Sequence, residues 1–90
     1  MNKSWTSHRI VTLIDSMSHL VISDSYTRPV SDLNQWDRYL TQLANAIDTY
    51  IDDNPRKSTM KPLMISLKQE CTGSRMRSML SVLKGYIKDG

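Results

Sequence analysis

Large apolar residues recur along this chain at helical spacing. The clearest run is Leu33, Trp36, Leu40, Leu43, Ile47 and Tyr50, with steps of 3, 4, 3, 4 and 3. That rhythm lays one apolar stripe along a helix and turns it toward other helices. The helix is expected over residues 31–53. It opens at Ser31 or Asp32, Asp32 followed by Gln35 fits a capping box loosely, and Pro55 stands just past the end. Tyr39, Ala44 and Ala46 widen the stripe, which suits contact with more than one neighbour.

Three other segments carry stripes of their own. Residues 4–23 place Ile10, Leu13, Ile14, Met17, Leu20 and Val21 on one face, with Ser4 as the cap. Residues 60–71 do the same with Met60, Leu63, Met64, Leu67 and Cys71, and Pro62 is tolerated in a first turn. Residues 74–88 bring Met76, Met79, Leu80, Leu83 and Ile87 together, with Gly85 a mild weakness. The breaks are chemical. Ser, Asp, Thr and Pro cluster over residues 23–30, where Tyr26 is expected to fold back over the core. Asn54 and Pro55 open the second break. Thr72, Gly73 and Ser74 read as a C-cap glycine followed by a new N-cap. The pattern predicts an all-α protein: one domain, residues 1–90, folded as a small antiparallel bundle of four helices.

The second helix is the spine. At about 22 residues it is roughly 33 Å long, against roughly 18 and 20 Å for the third and fourth. Part of its stripe is therefore left to the first helix or to a partner. A self-associating subunit, in which that leftover stripe pairs between chains, is one alternative.

Composition adds limits. Ninety residues make one domain of ordinary polarity, and the lone Cys71 cannot form an internal disulfide. The most apolar region, residues 10–22, is interrupted by Asp15, Ser16, Ser18 and His19. No signal peptide or membrane span is expected, and the reading is a cytoplasmic protein.

Charge is uneven. Residues 1–54 carry four Lys or Arg against seven Asp, whereas residues 55–90 carry eight against two acids. Arg77, Ser81, Lys84 and Lys88 follow one side of the last helix. This basic side, Arg75, Arg77, Lys84 and Lys88 with Tyr86 as an aromatic neighbour, is the candidate partner-binding site. The aspartates of the second helix are an alternative, internal partner for the cations of residues 55–90 as a whole.

Catalytic and metal chemistry find no support. His8 and His19 lie about 16 Å apart along a helix, too far to share one ion. Asp15 and His19 form an i,i+4 pair on the solvent side. Cys71 has no base beside it and sits on a core stripe, so an inert buried thiol is expected. No cofactor motif is present. A helix-turn-helix centred on Gly73 would need Met79 and Val82 buried, which the pattern allows. It would also need a small residue at Gln69 and apolar residues at Thr72 and Ser74, which the sequence lacks.

The expectation is a non-enzymatic protein that binds and modulates a partner protein bearing an acidic surface: an inhibitor, adaptor, immunity protein or secretion-type chaperone. Charge would steer docking, and Tyr86 with exposed methionines would anchor it. Reversing Arg77 and Lys84 is expected to spare the fold. A nucleic-acid-binding regulator using the basic carboxy-terminal hairpin is the alternative of a different class.

Overall fold

The computed structural model describes residues 5–24, 29–50, 57–69 and 72–89, with all their side chains except those of Tyr50, Lys57 and Asp89. Expectations resting on Ser4, Tyr26, residues 51–56 and Cys71 fall outside the described residues.

Helix α1 (Ser7–Leu20) starts where Thr6, in extended geometry, accepts a hydrogen bond from the Arg9 N–H at 3.2 Å on its hydroxyl. It ends at Leu20, short of the expected Ser23. Val21 turns extended and pairs with Val30 in an isolated antiparallel β-bridge. The Ser31 N–H donates to the Leu20 carbonyl at 2.8 Å, and the Ile22 N–H to the Pro29 carbonyl at 2.8 Å. Both valines are buried. β-branched residues favour this geometry, so the bridge lets the chain leave the helix while Val21 stays in the core.

Helix α2 (Leu33–Tyr50) is capped by Asp32, whose carboxylate accepts from the Gln35 N–H at 3.1 Å. Trp36, Leu40, Leu43, Ala46 and Ile47 are buried, as the heptad requires. Leu33, the first member of the stripe, is not: it is 64% exposed. It lies in the first turn, ahead of the level at which Trp36 enters the core.

Helix α3 (Lys57–Lys68) begins before the expected Met60, which puts Pro62 in its second turn. Proline has no N–H to offer the Ser58 carbonyl, so one bond of the helical ladder is missing there. Met60, Met64 and Leu67 are buried and Leu63 lies at the core edge.

Helix α4 (Gly73–Asp89) is capped by Thr72, not Ser74: the Thr72 hydroxyl accepts from the Arg75 N–H at 3.2 Å. Gly73 is the first helical residue and has no positive φ, so it is not a left-handed C-cap. Its reason is space. A Cβ there would land on the Ser23 carbonyl oxygen, 2.8 Å from the carbonyl carbon and 3.0 Å from Val21 Cγ1. Only glycine lets the α4 terminus sit down on the backbone that follows α1.

The helices close into a ring, α1 against α2, α2 against α3, α3 against α4 and α4 back against α1, and among the described residues the diagonal pairs make no close backbone approach. The α1–α4 seam is the most extensive. Along it Gly73 meets Ser23, Arg77 meets Asp24 and Lys84 meets Asp15, so the two helices run antiparallel. The result is a small antiparallel all-α bundle. One contiguous core contains buried residues from all four helices, and no polar residue is buried among the described residues. No helix among them is long and apolar enough to cross a membrane.

Candidate partner-binding surface

Helix α4 carries all five candidate residues, and its core stripe decides where they go. Successive residues turn about 100°. With Met76, Met79, Leu80, Leu83 and Ile87 facing inward, Arg77, Lys84 and Lys88 fall on one flank and Arg75 and Tyr86 on the other.

The first flank faces α1. Lys84 Nζ donates to Asp15 Oδ1 at 2.7 Å, with both side chains partly exposed. Arg77 Nη1 donates to Asp24 Oδ1 at 3.2 Å, and Arg77 Nη2 reaches the Val21 carbonyl at 3.5 Å. Arg77 therefore ties the start of α4 to the segment that leaves α1. The acids that engage this basic side belong to α1 and the loop after it. Arg77 and Lys84 are thus engaged by acids other than the α2 aspartates, and α2 and α4 stand diagonal in the ring. Lys88 is exposed near the other end of the seam, where it lines an open groove of about 320 Å³ with Ser7, His8 and Val11.

The second flank faces α3. Arg75 is exposed, Val82 is 44% exposed and Tyr86 is half-buried against the core. The three stand at i, i+7 and i+11, in line along the helix. The structure thus splits the five residues into a set engaged with α1 (Arg77, Lys84, Lys88) and a set turned toward the α3 edge (Arg75, Tyr86).

Sequence reasoning missed Val82 as an exposed residue. The signal was present: Val82 lies off the spacing of Met76, Met79, Leu80, Leu83 and Ile87. Its exposure also removes the buried position that a helix-turn-helix needs there. Ile65, 59% exposed, lies off the α3 stripe in the same way. The methionines expected to anchor a partner are buried instead: Met60, Met64, Met76 and Met79 all belong to the core. They fill part of the shared core, which an unbranched, flexible side chain does well.

His19 makes a local contact within its own helix, and His8 lies exposed at the groove. His19 Nδ1 contacts the Asp15 backbone carbonyl at 2.8 Å. A carbonyl can only accept, so this nitrogen carries the proton. The Asp15 carboxylate goes to Lys84, which replaces the expected side-chain pairing of Asp15 with His19. Among the described residues no group of three or more His, Cys, Asp or Glu is placed to hold a metal ion. Comparison with protein-family models, with curated proteins and with solved structures finds no significant match to this chain.

Proposed function

We propose that the protein works by binding another protein and modulating it without chemistry of its own, as an inhibitor, adaptor, immunity protein or secretion-type chaperone does. The observation that supports this reading is the outer flank of α4. Arg75, Val82 and Tyr86 line up there with Arg75 and Val82 in solvent, while Arg77 and Lys84 hold α4 to α1. A cation beside an aliphatic and an aromatic side chain is a common core of a protein–protein contact. The ring and the aliphatic group supply affinity, and the guanidinium selects a carboxylate. The partner surface is acidic with an apolar centre. Lys88, at the far end of the same helix, adds charge that steers approach. The reading places the protein in the cytoplasm, on the strength of a lone cysteine that no internal disulfide can use.

The test is a capture experiment from the source cell with the full chain as bait, repeated with Arg75→Glu/Val82→Asp. Both positions are exposed, so the double variant should melt like the wild type. The reading expects one protein held by the wild type and lost by the variant. If the variant retains that protein undiminished, the α4 flank is not the binding surface. Capture of nucleic acid in its place would favour the polyanion-binding alternative.

A further inference from the structure

The ring fixes the two flanks of every helix. On α4 the flank bearing Arg77 and Lys84 faces α1, and on α1 the flank bearing Asp15 and Val11 faces α4. Right-handed helices of alternating direction then carry the same sense around the bundle. On α2 the flank toward α3 bears Asp37 and Asp48. On α3 the flank toward α2 bears Lys61 and Lys68, with Ile65 just outside them. All five are exposed. Leu33 heads α2 at the end of the bundle where α3 finishes.

The outer α2–α3 face therefore shows an acidic row beside a basic row. Asp37, Lys61 and Lys68 make no ion pair among the described residues, whereas Asp48 is already engaged. Two of the four exposed large apolar side chains among the described residues, Leu33 and Ile65, belong to this face.

Such a face is complementary to itself in one orientation. A two-fold axis parallel to the helices lays α2 of one copy over α3 of the other, so each acidic row meets a basic row. An axis across the helices would stack acid on acid. Closed dimers use one patch twice, and this patch meets that condition. We propose that two copies of the chain pair face to face through α2 and α3, with Asp37 and Asp48 opposite Lys61 and Lys68 of the partner copy and Ile65 enclosed between them. The small apolar content makes the dimer weak and dependent on charge, so it dissociates on dilution and with salt. The α4 flank is not used, and the proposal stands independently of the partner-binding reading.

Sedimentation equilibrium of the full chain in low salt tests it. The average mass should climb from one chain at about 1 µM toward two at about 100 µM, on the weak, transient end of the interface scale. Raising the salt to about 0.5 M, where screening is short-ranged, should shift the midpoint at least several-fold. Ile65→Asp should be monomeric throughout with an unchanged melting curve. Lys61→Glu/Lys68→Glu should be monomeric, as should Asp37→Lys/Asp48→Lys. An equal mixture of these two double variants should pair, because each then offers two rows of one sign to two rows of the other. A wild type that stays monomeric at about 100 µM in low salt overturns the proposal. So does a dimer indifferent to Ile65→Asp, or a mixture that fails to associate while both variants are folded.

Discussion

Helix α4 contains two glycines, and alanine at each should move stability in opposite directions. Glycine costs about 0.8–1 kcal/mol relative to alanine inside a helix, because its backbone loses more freedom on folding. At Gly85 nothing stands within 4 Å of a new Cβ. Gly85→Ala should therefore recover most of that amount. At Gly73 the new Cβ falls on the Ser23 carbonyl, a backbone group with no rotamer to yield, and also crowds Val21 Cγ1 at 3.0 Å. Relief requires α4 to lift from the Val21–Val30 bridge or to slide along α1. Sliding would pull Arg77 from Asp24. Inserting a group into a packed site of this kind costs about 1–3 kcal/mol, and a backbone obstacle belongs in the upper part of that range. The gain in helix propensity is smaller in a first turn and offsets up to about 1 kcal/mol. The net is about 1–2 kcal/mol of lost stability. For a domain of this size each kcal/mol shifts the melting temperature by about 4–8 °C. Gly73→Ala should therefore melt about 5–15 °C below the wild type and Gly85→Ala about 4–8 °C above it. Thermal melts followed by helical circular dichroism, with urea titrations to confirm an unchanged m value, read both. If Gly73→Ala melts at or above the wild-type temperature, α4 does not rest on Ser23 as described, and the seating argument for Gly73 fails.

Arg77→Glu/Lys84→Glu no longer counts as neutral to the fold: it replaces two ion pairs by like charges facing Asp24 and Asp15. Exposed pairs contribute up to about 1 kcal/mol each, so the melting temperature should fall by several degrees in low salt, and most of the loss should vanish near 1 M NaCl, where screening reaches about 3 Å. A loss that persists at high salt would assign the effect to packing. Thr72→Ala and Asp32→Ala each remove an N-cap acceptor and should each lower stability by about 1 kcal/mol in urea denaturation. Ser74→Ala should change it little. An equal loss at Ser74 would restore that residue as the cap.

The core was legible because it obeys one period. All five α4 residues named by spacing are buried, as are Met60, Met64 and Leu67 of α3, with Leu63 at the core edge; of the described side chains in the α2 run, Leu33 alone departs, where the helix starts before the core does. The cap of α2 was legible for the same local reason: Asp32 and Gln35 stand at the required separation. Features that depend on a neighbour were not. Gly73 has one role in a left-handed cap and another under a carbonyl, and the sequence around it is the same in both cases. The bridge from Val21 to Val30 joins residues across a loop whose composition signals only a break. Partnering of charge was the least legible. Spacing placed Arg77, Lys84 and Lys88 on one flank, but it held no record of which helix that flank would face.

That last point changes what the basic carboxy-terminal third can do. Of its eight cations, Arg77 and Lys84 are engaged along α1. Of the others with described side chains, Lys61 and Lys68 lie on the α2–α3 face, Arg75 on the α3–α4 edge and Lys88 at the α1–α4 groove. The described part of this charge is thus spread around three sides of the bundle. Polyanion binding needs contiguous cations, because affinity follows the number of phosphates neutralised together. No side formed by these four offers more than two. From these described cations alone, titration of duplex DNA should show a slope of log K against log salt no steeper than about −2. That is too shallow for a dedicated nucleic-acid binder, whose slope reflects about 6–10 phosphate contacts. A measured slope of −5 or steeper would mean that these cations act as one surface. The same dispersal suits protein contacts, where one or two charges set orientation and neighbouring apolar groups such as Val82 and Tyr86, or Ile65, supply the affinity.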